Sequence, residues 1–332
     1  MAYPVTLIPG DGIGPEVADA TVKVIDATGV KIDWHTHHAG NEVVNRYGTP
    51  MPPETLESIM RDKVALKGPI GTPIGTGFAS VNVQLRKSLD LYANYRPAKT
   101  IQGVKSRYDN IDLIIIRENT QGLYSGLEHI VVPGVVESIR VITEEASEKI
   151  VRFAFEAARK YGRKKVTAVH KANILKKSDG LFLEVARRVA RNYSEIEYDE
   201  AIVDATAMKL VMNPEKFDVL VMENLFGDII SDLTSGLIGG LGVAPSANIG
   251  EKYALFEAVH GSAPDIAGKG ISNPTALLLS AKLMLDHLGE FDAANRLEKA
   301  IHKVLLEAKV ITRDLGGTAN TNEYVEELIR NL

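Results

Sequence analysis

Two aspartates, Asp228 and Asp232, lie four residues apart just after a short apolar run. On a helix, that spacing places both carboxylates on one face. Like charges repel, so the pair needs either solvent or a cation, and a hard divalent ion that takes oxygen ligands meets this need. A third acid, Asp204, ends another predicted strand and could complete the ligand set. The alternative is structural: Asp228 follows Gly227 and could cap the helix, leaving Asp232 on a hydrated face.

Three arginines, Arg86, Arg96 and Arg117, lie within or just after predicted strand–helix segments. Arg96 and Arg117 each end an apolar stretch, where open α/β sheets usually contact ligands. A guanidinium group matches a carboxylate through two hydrogen bonds. Converging arginines would therefore indicate a polyanionic small molecule, whereas three solvated surface arginines are the alternative interpretation.

Two further stretches carry polar residues after an apolar strand, Arg117-Glu-Asn-Thr-Gln-Gly-Leu-Tyr124 and Val169-His-Lys-Ala-Asn173. Lys171 in the second could stay cationic beside a carboxylate, or transfer a proton if its pKa is depressed. Both stretches are therefore candidates for binding or proton transfer.

The segment from Glu257 to Asn273 is rich in small residues and glycine. Its backbone could approach a nucleotide closely, and Asp265 within it could accept hydrogen bonds from a ribose 2′-hydroxyl. A long structural loop is an equally acceptable interpretation.

A glycine pattern at Gly10, Gly12 and Gly14 follows one strand and opens a helix. The dinucleotide-binding spacing fails, because Pro15 occupies the position of its third glycine. The pattern therefore favours a tight turn that packs a helix on a strand.

The elements that must position these residues alternate between strands and helices, which predicts an α/β fold. Between Gly122 and Thr143 the pattern changes to Gly- and Val-rich segments that predict a hairpin. A long loop from Gly68 to Gly77 precedes a helix at about Ser80–Leu89.

The chain has 332 residues, a net charge of −5 and no cysteine. This length suits one large domain or two interlocked ones. The charge argues against nucleic acid as a partner, and no apolar run is long enough for a membrane span. Thiolate sites are excluded, and with no signal peptide visible we expect a cytoplasmic protein.

Taken together, the motifs resemble the isocitrate/isopropylmalate dehydrogenase family of metal-dependent decarboxylating dehydrogenases. Six stretches occur in the family's order over nearly the whole chain: Ile8–Pro15, Leu89–Pro97, Arg117–Thr120, His170–Asn173, Asn224–Asp232 and His260–Gly268. Six collinear motifs are far more specific than any one alone.

The resemblance implies a two-domain α/β fold with a large mixed sheet of ten strands flanked by helices, and no Rossmann site. Residues 1–97 and 241–332 would form a large domain on the cofactor side, and residues 98–240 a small domain. The segment 122–143 would be a clasp that joins two subunits. A homodimer with shared active sites is implied, each completed by Lys171 and Asp204 of the neighbour.

The resemblance also implies the site. Isopropylmalate enzymes have apolar residues where this chain has Ser80 and Asn82, so we expect isocitrate, a tricarboxylate; homoisocitrate, one methylene longer, is the rival. A regulatory subunit of a hetero-oligomeric isocitrate dehydrogenase is a further alternative. Substrate contacts would be Ser80, Asn82, Arg86, Arg96 and Arg117. Tyr124, Lys171 and Asp204 would transfer protons, and Asp204, Asp228 and Asp232 would hold Mg²⁺ or Mn²⁺.

For the cofactor, Asp265 and Ile266 stand where NADP-using relatives commonly carry Lys-Tyr, and an acid there would repel a 2′-phosphate. NAD is therefore expected. Its binding residues would be Glu257, His260, Gly261, Ser262, Ala263, Pro264, Asp265, Ile266 and Asn273, of which His260 to Ile266 and Asn273 would hold the adenosine end. Gln121 departs from the acid that relatives often carry before Gly122, with no evident consequence.

Overall fold

A computed structural model describes residues 2–73 and 78–332 of the chain. Its strands are β1 (Tyr3–Ile8), β2 (Ile32–Thr36), β3 (Val64–Lys67), β4 (Ala93–Lys99), β5 (Asp112–Glu118), β6 (Gly122–Val132), β7 (Val135–Val141), β8 (Lys165–His170), β9 (Glu197–Ile202), β10 (Val219–Met222), β11 (Pro245–Ile249) and β12 (Ala254–Ala258).

The helices surround these strands. They are α1 (Gly14–Ala27), α2 (Val44–Tyr47), α3 (Pro53–Asp62), α4 (Val81–Ser88), α5 (Glu144–Lys160), α6 (Ser178–Ala190), α7 (Val203–Met212), α8 (Asn224–Leu237), α9 (Thr275–Leu288), α10 (Phe291–Glu307) and α11 (Thr321–Arg330).

Ten strands form one sheet in the order β2-β1-β3-β12-β11-β4-β5-β10-β8-β9. The β12–β11, β11–β4 and β4–β5 pairs are antiparallel, and the other neighbouring pairs are parallel. The predicted large mixed sheet flanked by helices is therefore confirmed. It differs from the open parallel sheet of a Rossmann fold.

The strands of the sheet come from two parts of the chain. Strands β1 to β4 precede residue 100 and are joined by β11 and β12, whereas β5, β10, β8 and β9 all come from residues 112–222. The domain boundaries inferred from the sequence stay a prediction. None of the helices in the described residues is long and apolar enough to cross a membrane.

Burial explains why the central strands and helices form. In β5, Leu113 to Ile116 are at most 1% exposed, because helices cover both faces of the sheet there. Helix α5 buries Ile150, Ala154 and Phe155 on one stripe. Its first turn is capped by Thr143, whose side chain accepts a hydrogen bond from the backbone N–H of Ala146.

A two-stranded hairpin of β6 and β7 lies outside the large sheet, within the segment where the sequence predicts one. Its apolar side chains are exposed in the single chain: Leu127, Ile130, Val131, Val132, Val135, Val136 and Ile139. An exposed apolar patch of this kind marks an interaction surface. Its role as a subunit clasp stays a prediction.

Three expectations about local structure are wrong. Arg96 does not end an apolar stretch but lies in the middle of β4. This strand lacks an apolar pattern because Asn94 and Arg96 are polar, although both are buried. Asp204 does not end a strand, because β9 stops at Ile202 and Asp204 lies in the first turn of α7. Glu257 lies inside β12 rather than in a loop. Residues 74–77 of the predicted Gly68–Gly77 loop lie outside the described residues.

Candidate active site

A cavity of about 240 Å³ opens where β3, β4, β5 and β12 meet α4 and α8. Most of the predicted substrate and catalytic residues line it together with the start of the predicted cofactor segment. They are Ser80, Asn82, Arg86, Arg96, Arg117, Tyr124, Asp228, Glu257, His260 and Gly261. Residues from distant parts of the sequence therefore converge on one small polar site.

Arg117 forms the base of the cavity and is only 1% exposed. Its Nε and Nη2 donate hydrogen bonds to Asn224 Oδ1, at 3.0 and 2.8 Å, and its Nη1 pairs with Asp228. The side chain lies against Gly227, where a Cβ atom would overlap Cβ and Cγ of Arg117. Glycine at 227 is therefore what lets α8 approach this arginine.

Tyr124 reaches the same carboxylate from the hairpin, donating its hydroxyl to Asp228. Burial raises the pKa of Tyr124, and its hydrogen bond to Asp228 adds to the increase. For Asp228, burial alone would raise the pKa, but the charge of Arg117 and the Tyr124 hydroxyl bring it below its usual value. At neutral pH the tyrosine is protonated and the aspartate ionised.

Burial lowers the pKa of Arg117 to about 10, with the charges of Arg86 and Arg96 adding to the decrease. Burial also lowers the pKa of Arg96, again assisted by Arg86. Three guanidinium groups thus repel one another around a small cavity. The arrangement favours an anion between them.

Asp228 and Asp232 lie one turn apart on α8, as the four-residue spacing predicts. Asp228 does not cap the helix: Glu223 does, accepting hydrogen bonds from the backbone N–H groups of Leu225 and Phe226. Asp232 Oδ1 accepts a hydrogen bond of 3.0 Å from Arg96. Burial raises the pKa of Asp232, and the neighbouring charge of Asp228 adds to this against the effect of Arg96.

Lys67 is a cavity residue that sequence reasoning missed. Although it is a lysine at a strand end, it is 1% exposed, and its Nζ lies 2.8 Å from Glu257 Oε2. The other oxygen of Glu257 accepts hydrogen bonds from Arg86 at 3.2 Å and from Asn248 at 2.8 Å. Burial would raise the pKa of Glu257, but Lys67 and Arg86 hold it well below its usual range. Glu257 thus supports the cationic wall of the cavity; its predicted role in binding the cofactor is untested.

Four buried polar atoms that face the cavity have no hydrogen-bond partner within the described part of the chain. They are Asn82 Oδ1, Arg86 Nε, Arg96 Nε and His260 Nε2. Such groups are rare in folded proteins, and leaving one unpaired costs about 1–3 kcal/mol. A polar ligand that pairs with them would remove this cost. The Ser80 hydroxyl instead accepts a hydrogen bond of 3.1 Å from Thr72.

Lys171 and Asp204 form a separate pair outside the lining of this cavity, with Lys171 Nζ 2.5 Å from Asp204 Oδ1. The hydrogen bond from Lys171 lowers the pKa of Asp204. Within residues 2–73 and 78–332 of one chain, no three His, Asp or Glu side chains cluster as metal ligands. Asp204 therefore does not join Asp228 and Asp232 within a single chain.

The remaining predicted cofactor residues, Ser262 to Ile266, follow Gly261 at the cavity's edge. The glycine turn at Gly10–Gly14 packs against them, since the backbone N–H of Ile13 donates to Ser262 O at 2.9 Å. The side chain of Asp265 is exposed, whereas Asn273 is buried and donates to Asp314 at 2.8 Å. The segment thus places the exposed side chain of Asp265 four residues after Gly261, which lines the cavity.

Comparison with known proteins finds relatives over nearly the whole length of the chain. A family model described as isocitrate/isopropylmalate dehydrogenase matches residues 4–328. The chain is 55% identical to "Isocitrate dehydrogenase [NAD] catalytic subunit 5, mitochondrial" of Arabidopsis thaliana, covering 98% of this chain and 88% of that protein. It is 56% identical to "3-isopropylmalate dehydrogenase, chloroplastic" of Solanum tuberosum, covering 92% and 86%.

Among solved structures, isocitrate dehydrogenase from Methylococcus capsulatus superposes with a TM-score of 0.96 at 52% identity. The alignment covers 99% of both chains.

Proposed function

Because the chain belongs to the isocitrate/isopropylmalate dehydrogenase family, we propose that it oxidises isocitrate with NAD⁺, giving 2-oxoglutarate, CO₂ and NADH. The observation that supports this most is the pair of unpartnered guanidinium donors, Arg86 Nε and Arg96 Nε, in one cationic cavity that Asn82 also lines. The carboxylates of isocitrate would accept hydrogen bonds from both Nε groups and from the amide nitrogen of Asn82. An isopropyl group in the same place would leave Asn82 unsatisfied, at a cost of about 1–3 kcal/mol.

The residues fit the two groups that this reaction needs. Asp228 and Asp232 present carboxylates on one helix face, and their side chains are 35% and 54% exposed; with Asp204 from a second copy they would hold Mg²⁺ or Mn²⁺. Such an ion supplies Lewis acidity beside the substrate hydroxyl and its adjacent carboxylate. NAD⁺ supplies the hydride acceptor. The exposed carboxylate of Asp265 favours NAD⁺ over the more negative NADP⁺.

Side chains of the protein bind the substrate and transfer its protons. Arg86, Arg96 and Arg117 bind and orient the carboxylates through paired hydrogen bonds. Lys171 of the second copy, beside Asp204 of that copy, takes the proton from the substrate hydroxyl. Tyr124, kept protonated by burial and by Asp228, donates a proton to the carbon atom that loses CO₂.

The proposal includes a homodimer, because each metal site would need Asp204 from a second copy. The exposed apolar side chains of the hairpin support this, since a second copy would cover them. Oxidation of isopropylmalate is the second candidate function, favoured by the 56% identity to the potato enzyme. Ser80 and Asn82 argue against it, because both are hydrogen-bonding residues where an apolar side chain would be expected. Homoisocitrate remains the rival with matching charge.

Steady-state kinetics with isocitrate, homoisocitrate and isopropylmalate, each with NAD⁺ and NADP⁺, test the proposal. We expect kcat/KM for isocitrate to exceed that for homoisocitrate by about 10- to 200-fold, the value of one methylene. Asn82→Leu should lower kcat/KM for isocitrate but not for isopropylmalate. Gln84→Leu, on α4 with its amide on Ala79 O, is the matched control and should change neither. Equal or better turnover of isopropylmalate by the unaltered chain would contradict the proposal.

A further inference from the structure

Arg140, near the end of β7, has a largely buried side chain that bridges two carboxylates at the starts of different helices. Its side chain is 13% exposed, and those of Asp179 and Glu223 are 2% and 5% exposed. Nη1 pairs with Asp179 and also donates to Ser178 Oγ at 3.1 Å. Nη2 lies 3.3 Å from Glu223 Oε1, close enough for an ion pair but without hydrogen-bond alignment. The guanidinium carbon stands 5.1 Å from the ring centroid of Phe226.

The first carboxylate leads to the predicted proton acceptor. While Asp179 Oδ1 faces Arg140, its Oδ2 accepts a hydrogen bond of 2.6 Å from the backbone N–H of Lys171. The Nζ atom of the same lysine donates a hydrogen bond to Asp204. The orientation of Lys171 therefore depends on a carboxylate that Arg140 holds in place.

The second carboxylate leads to the predicted metal ligand. Glu223 caps α8 by accepting the N–H groups of Leu225 and Phe226, at 3.2 and 2.9 Å. Asp228 lies one turn further along the same helix. Arg140 thus contacts both the cap and, through Phe226, the first turn of the helix that presents Asp228.

A third connection runs through the hairpin to the predicted proton donor. Val141, next to Arg140, pairs with Gly122, two residues before Tyr124. Beside this pair, Gln121 O accepts a hydrogen bond of 3.1 Å from Asn224 Nδ2, and its side-chain oxygen accepts one of 3.0 Å from Thr143. Gln121, whose effect the sequence leaves open, therefore ties the base of the hairpin to α8.

We propose that Arg140 is a positioning residue that fixes Lys171, Tyr124 and Asp228 relative to one another. It lies outside the cavity lining, so it acts through Asp179, Glu223 and the hairpin rather than on the substrate. The inference rests on the proposed function, in which those three groups transfer protons or hold the metal. If Lys171 acts in the active site of the neighbouring subunit, Arg140 contacts the supports of residues that belong to two active sites. A change in the hairpin would then affect both sites.

The test compares Arg140→Gln and Arg140→Lys with a matched control, Arg163→Gln. Arg163 also bridges two acids, Asp112 and Asp218, but at the opposite ends of β5 and β10 from the cavity. We expect Arg140→Gln to lower kcat by about 10- to 100-fold, as misplacement of catalytic groups does. The KM for isocitrate should stay nearly constant, since the substrate arginines are untouched. Arg140→Lys should restore part of kcat, and Arg163→Gln should leave it unchanged.

Amide hydrogen exchange gives a readout that needs no turnover. In Arg140→Gln the protection of the Lys171 and Phe226 amides should fall by about tenfold or more, whereas Arg163→Gln should preserve it. If Arg140→Gln does not fold, Arg140→Lys is measured in both assays and should show the same losses to a smaller degree. Unchanged kcat together with unchanged protection at both amides would overturn the inference.

The two proposals fail in different ways. If the unaltered chain does not oxidise isocitrate but turns over one of the other two acids, the proposed substrate is wrong, and Arg140 is tested with the acid that reacts. If none of the three reacts, the exchange data alone decide whether Arg140 orders Lys171 and α8.

Discussion

Replacing Gly227 with alanine should displace Arg117 from the base of the cavity. The added Cβ would overlap the Cβ and Cγ atoms of Arg117, which is 1% exposed and bonded to Asn224 and Asp228. A flexible exposed side chain could move aside at little cost. Arg117 cannot do so, because its guanidinium is fixed at its far end.

The expected magnitudes follow from these contacts. Overpacking costs about 1–3 kcal/mol, and alanine in place of glycine returns about 1 kcal/mol of helix stability. Gly227→Ala should therefore lower the free energy of unfolding by up to about 2 kcal/mol. Loss of one hydrogen bond to a charged group, about 1.5–3 kcal/mol, should lower kcat/KM for isocitrate by about 10- to 150-fold.

Urea unfolding and steady-state kinetics measure both effects, and Gly236 supplies the control. It lies on the same helix, where a Cβ would have nothing within 4 Å. Gly236→Ala should therefore be neutral or stabilising and fully active. The reasoning is refuted if Gly227→Ala is as stable and as active as Gly236→Ala.

Four other predictions concern charge, metal, cofactor and assembly. Because the folded-state pKa of Glu257 is depressed, its stabilising effect is present above its unfolded pKa of about 4.3 and is lost as the pH falls below it. The difference in unfolding free energy between the unaltered chain and Glu257→Gln should thus shrink from pH 7 to about pH 3; a constant difference would contradict this. Asp228→Asn should require a higher Mn²⁺ concentration for turnover, and full activity at trace metal would exclude Asp228 as a ligand. Replacing Asp265 with Lys and Ile266 with Tyr should shift the ratio of kcat/KM values toward NADP⁺, and an unchanged ratio would show the acid to be irrelevant. Val136→Lys, in the hairpin, should weaken dimerisation in light-scattering measurements, and a mass unchanged from that of a dimeric parent would argue against the clasp.

Much of the fold could be predicted because its strongest signals are apolar runs. In the sequence, residues 112–117 form an apolar run rich in β-branched residues, and residues 144–161 carry an apolar stripe with helical spacing; these coincide with β5 and α5. β4 was missed because Asn94, Arg96 and Pro97 resemble a loop. In the structure Asn94 is fully buried and donates to Ser246 and Asn248 of the neighbouring strand, so the strand is stabilised by polar contacts 152 and 154 residues away. No local pattern carries that information.

The residues that line the candidate site could largely be predicted from the sequence, but the buried charged residues that hold them in place could not. Motif resemblance supplied the arginines, Tyr124 and Asp228, and the structure brings them to one cavity. Lys67 and Arg140 were missed because a single lysine or arginine near the end of a strand usually lies in solvent. Their importance appears only when burial and their carboxylate partners, Glu257 and Asp179, are known.

The order of strands also constrains how the chain can be built. In the sheet, β3 and β4 are separated by β12 and β11, which lie some 150 or more residues later in the sequence. By contrast, β5, β8, β9 and β10 all come from one continuous segment, residues 112–222, and are adjacent in the sheet. During synthesis, residues 112–222 can therefore complete their part of the sheet first. Until residues 245–258 have been synthesised, β3 and β4 each keep an unpaired edge. Lys67 and Arg86 then lack their ion-pair partner Glu257. The cavity is thus among the last parts of the molecule to form.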